Sequence, residues 1–196
     1  MIVAFLGVDG SGKSTIIEAF MQHVRSDWPD IQYVHFRPNF IYRGKGADKP
    51  VVDPHSGRQN GVLMSLIKLL YFVVEYNYAF HFHYKRTNNL VVFDRYYYDV
   101  IADPKRIKIS IPLWVTKFIG KFIPQPDITF YLYAPAEVMF ERKKEIPIDQ
   151  LVKISIRYMG FNFIKEFHKV STYTSVKITL KRVLEVYRNL KERKVA

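Results

Sequence analysis

Apolar positions along this chain fall into continuous runs and helically spaced ones. Ile2-Val3-Ala4-Phe5-Leu6-Gly7-Val8 contains no polar residue and reads as a strand buried on both faces. Leu90-Val91-Val92-Phe93, ending on Asp94, reads the same way, as does Ile128 to Ala134. Tyr33 to Phe36 reads as a shorter strand, and the β-branched stretch Ser175 to Ile178 as a weak last one. Helical spacing covers about Lys13 to Ser26, Gly61 to Tyr84, Ile111 to Ile123, Pro135 to Lys144, Ile148 to His168 and Leu180 to Arg193. Strands alternating with helices predict an α/β three-layer sandwich. Its mostly parallel sheet carries helices on both faces, and ligands bind beyond the carboxyl ends of the strands.

Three stretches need more than periodicity. Gly61 to Tyr84 is apolar enough to suggest a bilayer span, but Lys68, Glu75, Asn77 and His81 interrupt it. It reads as a buried core helix, and no membrane span is expected. In Ile111 to Ile123, Trp114 and Phe118 fall on an outer face, and packing within the chain is preferred to a partner or membrane surface. Residues 43–60 are rich in Gly, Pro, Asp, Lys and Asn, and predict a loop long enough to suit a functional role.

Composition narrows the class. The 196 residues fit one domain, 1–196, with a full core, and the 48% hydrophobic and 24% charged shares are those of a globular chain. Ile2 to Val8 is too short for the apolar region of a signal peptide, so none is expected. The absence of cysteine excludes a disulfide framework and a Cys-ligated metal, and fits a reducing, cytoplasmic compartment. A net charge of +12 favours anionic partners, although much of the excess lies in the tail Lys181 to Lys194. The 14 tyrosines and 15 phenylalanines sit mostly within apolar elements, so they read as core and no nucleic-acid partner is expected. Histidines 23, 35, 55, 81, 83 and 168 form no ligand set; His81 and His83 do not share a helix face.

The chemistry begins where the first strand ends. Gly7-Val8-Asp9-Gly10-Ser11-Gly12-Lys13-Ser14-Thr15 has the spacing of a P-loop between a buried strand and a helix. Gly7, Gly10 and Gly12 let backbone N–H groups approach phosphate oxygens, and the helix dipole adds positive potential at the same point. Lys13 would reach the β- and γ-phosphates of ATP, with Ser11 and Thr15 in the same cradle and the Ser14 hydroxyl on Mg²⁺. Asp94, closing an apolar strand, reads as a second Mg²⁺ partner acting through water, and Arg95 beside it as a fork for a phosphate. Without a P-loop the same pair would read as a cap or a structural ion pair. Arg142-Lys143-Lys144 opens a segment, about 142–149, that reads as a lid over the transferring group or as a solvated helix end. The P-loop has no arginine of its own, so the transferring charge needs another cation, which favours the lid with Arg142 as a catalytic residue.

These residues resemble the thymidylate kinase family of P-loop nucleoside monophosphate kinases. The similarity lies in the P-loop with its internal Asp9, in Asp94-Arg95-Tyr96, and in Pro135-Ala136-Glu137 through Glu141-Arg142. The resemblance implies a five-stranded parallel sheet, possible homodimers, and transfer of the ATP γ-phosphoryl group to a nucleoside monophosphate, dTMP by default. It implies that Asp9 faces the acceptor sugar, that Arg95 and Arg37 hold the acceptor phosphate, and that Tyr71 stacks on the base. Three stretches depart from the family pattern. Arg37 is followed directly by Pro38-Asn39-Phe40, and Glu75 or Tyr76 stands where a base-reading arginine is expected. Tyr97 to Arg106 replaces small residues and a glutamine, a pattern similar to a divergent thymidylate-kinase-like branch. The alternative acceptors are therefore another nucleotide, or a sugar or glycan hydroxyl. A hydroxyl would need Asp9 or Asp94 as general base.

Overall fold

The structure, a computed structural model, describes residues 1–39 and 59–195. Five strands form one sheet: β1 (Ile2–Leu6), β2 (Ile31–His35), β3 (Leu90–Asp94), β4 (Ile128–Tyr133) and β5 (Phe167–Ser171). Their order is β2-β3-β1-β4-β5, and all four pairings are parallel. Because β1 is central, the chain moves to one side of it for β2 and β3 and to the other for β4 and β5. Such a reversal leaves a crevice beyond the carboxyl end of β1.

Side-chain alternation explains the continuous apolar runs. Ile2, Ala4 and Leu6 of β1 join Val91 and Phe93 of β3 and Tyr131 of β4 in one core, while Val3 and Phe5 join Leu90, Val92, Phe130 and Leu132 in the other. The first core is covered by α2 (Val62–Tyr78), α3 (Tyr98–Ala102), α4 (Leu113–Gly120), α5 (Ala136–Arg142) and α6 (Ile148–Met159). The second is covered by α1 (Lys13–Val24) and α7 (Val176–Val195), with Phe5 packed edge-on to Phe20 and stacked with Phe130. The result is the three-layer sandwich.

Several boundaries differ from the sequence reading. The last strand is Phe167–Ser171 rather than Ser175 to Ile178. It is an edge strand in which only Val170 is fully buried, so its polar residues hide it. Ser175 instead caps α7, its side chain accepting the Ile178 N–H and its carbonyl the Thr179 N–H, which draws Val176 and Ile178 into the helix. Helix α6 ends at Met159, because the chain turns at Gly160, well short of His168. The loop expected over 43–60 lies, apart from Gln59 and Asn60, outside the described residues.

The long middle helix is half-buried, which corrects its reading as a core helix. Leu69, Phe72, Tyr76 and Glu75 face the sheet, whereas Leu63, Ile67, Leu70, Val74, Tyr78 and Phe82 are exposed at three- and four-residue intervals. Beyond Tyr78 it continues through a π turn (Ala79–His83) and a 3₁₀ turn (Tyr84–Arg86). Val62–Arg86 is long and apolar enough to cross a bilayer by length and composition alone. On α4, Trp114 is 71% exposed, with Phe118 and the following Phe122 also open to solvent, so these rings do not pack into this chain's core as expected.

Candidate active site

The loop after β1 is shaped by its glycines. Gly10 has φ +80°, and a Cβ there would run into the Met139 carbonyl of α5. A Cβ on Gly7 would lie 2.6 Å from both the Leu132 carbonyl oxygen and Ser11 Oγ. Backbone therefore packs against backbone, and α1 starts with no side-chain cap. The leading N–H groups of a helix have no partner within it, so Lys13, Ser14 and Thr15 point donors out of the helix end. A cavity of about 280 Å³ opens in front of them, lined by residues 8–15 with Arg142 and Lys143. A second of about 280 Å³ shares Gly12, Thr15 and Arg142, and extends to Thr172, Thr174 and Thr179.

Strand β3 brings its end to the same point. Phe5 pairs with Asp94 in register, and the Arg95 N–H donates to the Phe5 carbonyl at 2.9 Å. Arg95 has φ +74°, sparsely populated for a side chain with a Cβ, which marks it as held by its surroundings. Asp94 Oδ1 lies 3.7 Å from Lys13 Nζ, and Tyr33 OH donates to Asp94 Oδ2 at 3.0 Å. His35 Nδ1 is 3.5 Å from the same Oδ2.

Asp9 is the meeting point of cations from three elements. Arg95 Nη2 donates to its Oδ1 at 2.7 Å, Arg106 Nη1 pairs with its Oδ2, and Lys143 Nζ is 3.9 Å from Oδ1. Burial alone would raise the pKa of Asp9, but Arg95, Arg106 and Lys13 outweigh it and hold the carboxyl well below the usual range. Asp94 behaves alike: burial works upward, and His35, Lys13 and Arg95 bring the net value down. Burial, with the Arg95 charge, pulls Lys13 down to about 8 against the opposing pull of Asp94, Asp9 and Asp99.

Arg142 ends α5 and spans the two cavities, donating to the Gly10 carbonyl at 3.4 Å and the Thr172 carbonyl at 3.2 Å. Lys143 to Pro147 form the turn between α5 and α6. Arg37 and Tyr71 belong to a different cluster. Tyr71 OH donates to Glu75 Oε1 at 2.9 Å, Arg37 Nη1 to Oε2 at 3.4 Å, and the guanidinium lies 5.6 Å from the Tyr71 ring centre. The acid at position 75 is thus matched by a guanidinium from the end of β2.

Of the residues singled out from the sequence, Asp9, Lys13, Asp94, Arg95 and Arg142 converge around the loop, and Ser14 and Thr15 face the cavity. Sequence reading missed Arg106, which is 97 residues from Asp9, and Asp99, although its spacing four residues after Arg95 was a usable helical signal. Among the described residues no group of three or more His, Asp or Glu could hold a metal by itself.

Comparison with known proteins bears on this arrangement. Residues 5–156 match the family described as thymidylate kinase. The probable thymidylate kinase 1 of Saccharolobus solfataricus is 22% identical over 193 residues, covering 94% of this chain and 95% of the relative. The thymidylate kinase of Thermosipho africanus is 27% identical over 158 residues, covering 78% and 76%. Among solved structures, the Candida albicans thymidylate kinase superposes with a TM-score of 0.68 at 17% identity, over 97% of this chain and 92% of that one. The Ehrlichia chaffeensis enzyme gives 0.60 at 18% identity, over 96% and 98%. A P-loop strand–turn–helix, an adjacent Asp-Arg strand end and a family match over most of the length agree: this chain belongs to the thymidylate kinase family of ATP-dependent P-loop nucleotide kinases.

Proposed function

We propose that the protein transfers the γ-phosphoryl group of ATP to dTMP, giving dTDP and ADP. The observation that carries the choice of acceptor is the thymidylate kinase match over residues 5–156, on a site whose Asp9 has both carboxylate oxygens paired to arginines. An acceptor phosphate is already an anionic nucleophile and needs no base. Asp9, with Arg95 on one oxygen and Arg106 on the other, is placed to hold cations toward such an anion rather than to take a hydroxyl proton.

In this reading the cradle of Gly7, Gly10, Ser11, Gly12 and Thr15 holds the ATP phosphates, and Lys13 neutralises charge at the β- and γ-phosphates. The second cavity, beside Arg142 and the Thr172–Thr179 turn, takes the nucleoside end of ATP. A phosphate oxygen of the acceptor attacks the γ-phosphorus as its bond to the β–γ bridging oxygen breaks, and ADP leaves with both electrons of that bond. Arg95 and Arg37 hold the acceptor phosphate, Tyr71 stacks on the base, and Asp9 faces the sugar. Arg142 and Lys143 close over the transferring group and exclude water.

The residues also fit Mg²⁺. Asp94 Oδ1 is buried without a hydrogen-bond partner among the described residues, and Ser14 stands exposed at the start of α1. When bound with ATP, the ion supplies charge neutralisation across the phosphates; Ser14 would ligate it directly and Asp94 through water. The working compartment proposed is the cytoplasm, which supplies ATP and matches a chain without cysteine. We also infer a homodimer formed through the exposed apolar face of α2 and α4.

An acceptor screen with ATP and Mg²⁺, scored by ADP release, tests the activity across nucleoside monophosphates, nucleosides and common sugars. dTMP is expected to give the highest kcat/KM. A nucleoside or sugar turned over faster than every monophosphate would overturn the proposal.

A further inference from the structure

Arg95 is gripped from two sides, and only one grip comes from the P-loop. On the far side, Nη1 donates to Asp99 Oδ1 at 2.7 Å and to the Gly7 carbonyl at 3.3 Å. Asp99 sits in the first turn of α3 and is 3% exposed. Its Oδ1 also accepts the Tyr158 hydroxyl at 2.8 Å, and its Oδ2 the Tyr96 N–H at 3.2 Å. Tyr158 belongs to α6, the helix after the lid segment, and its ring stacks on Tyr131 of the sheet with 4.7 Å between centres.

A guanidinium has five N–H donors. Both on Nη1 are occupied by Asp99 and Gly7, and one on Nη2 by Asp9. Nε–H and the second Nη2 proton have no protein partner among the described residues. Asp9 shares its charge between Arg95 and Arg106, so Asp99 supplies the second carboxylate that balances the two buried guanidinium groups. Beyond that charge, Asp99 adds orientation. With Nη1 anchored, the plane of the guanidinium is set, which matters for a side chain leaving a backbone at φ +74°.

We propose that Asp99 is a positioning residue. It fixes the Arg95 guanidinium so that its remaining donors meet the acceptor phosphate, and Tyr158 in turn holds Asp99 in place. The proposal rests on the reading of Arg95 as the acceptor-phosphate residue. Asp99 also lies in the segment Tyr97 to Arg106, where the sequence leaves the family pattern. The arrangement ties the helix behind the lid to the phosphate-facing arginine through two hydrogen bonds.

The test is a cycle of Asp99→Asn, Asp99→Ala, Tyr158→Phe and Asp99→Ala/Tyr158→Phe. KM and kcat are measured separately for dTMP and ATP, with calorimetric dTMP binding in the absence of ATP. Asp99→Ala should raise the dTMP KM and Kd about 10- to 100-fold, as loss of a charged hydrogen bond does. Asp99→Asn, which keeps the volume and one acceptor oxygen, should recover part of that loss. Tyr158→Phe should weaken dTMP about 2- to 5-fold alone and have no effect in the Asp99→Ala background, because coupled residues are non-additive. The ATP KM should stay within about twofold throughout. Equal losses for both substrates, or a Tyr158→Phe effect of the same size in both backgrounds, would overturn the proposal. If Asp99→Ala does not fold, Asp99→Val, close to aspartate in volume and without an acceptor for Tyr158, and its double variant with Tyr158→Phe carry the same comparison. Wild-type turnover of dTMP in the same assay tests the activity itself, so the two failures are distinct.

Discussion

Arg95 Nη2 donates to Asp9 Oδ1 across 2.7 Å, tying the end of β3 to the P-loop through a buried ion pair. The bond crosses the crevice in which phosphates are proposed to meet, and the same guanidinium is anchored behind by Asp99. One planar group therefore serves two acids and keeps further donors for the acceptor phosphate proposed above.

A lysine cannot do this. Its ammonium is a point charge and lacks the two-edged fork. Arg95→Lys is expected to lower kcat/KM for dTMP by at least about 100-fold, the cost of losing two charged hydrogen bonds in a buried site. Binding of a non-hydrolysable ATP analogue, measured by calorimetry, should change less than about threefold. Equal loss of both ligands would place Arg95 on the ATP side instead.

Lys13 gives the pH dependence. Burial, with the Arg95 charge, lowers its pKa to about 8, so in the empty enzyme its charge is present below that pH and disappears as pH rises through it. Since kcat/KM reports free enzyme, kcat/KM for ATP should fall about tenfold per pH unit above 8. Bound phosphates favour the charged form, so kcat should hold to higher pH. Lys13→Arg, always charged, should lack the falling limb whatever its residual rate. A flat wild-type kcat/KM to pH 9.5 would contradict this.

The readable parts of the molecule were those set by local pattern. Val3, Phe5 and Val92 lie in runs with no polar member and Phe130 in one broken by Thr129 and the tyrosines, so strands buried on both faces stood out, and the glycines of the P-loop carry a fixed spacing. β5 was unreadable because an edge strand needs few apolar residues, and Phe167-His168-Lys169-Val170-Ser171 has no clean alternation. Arg106 was hidden for another reason: nothing near it in sequence shows that it pairs with Asp9. The exposed face of α2 was misread because apolar spacing alone does not say whether a helix is covered by its own chain or left open.

Gly10 tests the loop itself. Gly10→Ala would put a Cβ both at φ +80° and against the Met139 carbonyl of α5. Left-handed backbone costs an alanine about 1–2 kcal/mol before any clash. The loop or α5 must shift, and Arg142 sits at the end of α5. ATP kcat/KM is expected to drop by more than about tenfold, since 1.4 kcal/mol corresponds to a factor of ten, with melting temperature lowered by several degrees. Steady-state kinetics and calorimetric scanning check the two effects.

The open face of α2 and α4 bears on assembly. Leu63, Ile67, Leu70, Val74, Tyr78 and Phe82 form a stripe along one helix, and Trp114, Phe118 and Phe122 a ridge on its neighbour, to which Asn77 donates through the Phe122 carbonyl at 2.8 Å. Soluble monomers seldom expose an apolar patch of this extent, and stable pairing needs about 1,200–2,000 Å² of buried surface. A second copy facing the first would cover both stripes, whereas a bilayer span would have to pull α2 off the sheet and expose the buried Glu75–Arg37 pair. Leu70→Glu combined with Phe118→Glu should convert a dimer to a monomer by light scattering, because each places a charge at the contact without touching either core. Far-UV circular dichroism should be unchanged. A wild-type protein that is monomeric at micromolar concentration, or a variant that keeps dimer mass, would remove the inference while leaving the kinase chemistry intact, since none of these residues lines the phosphate cavity.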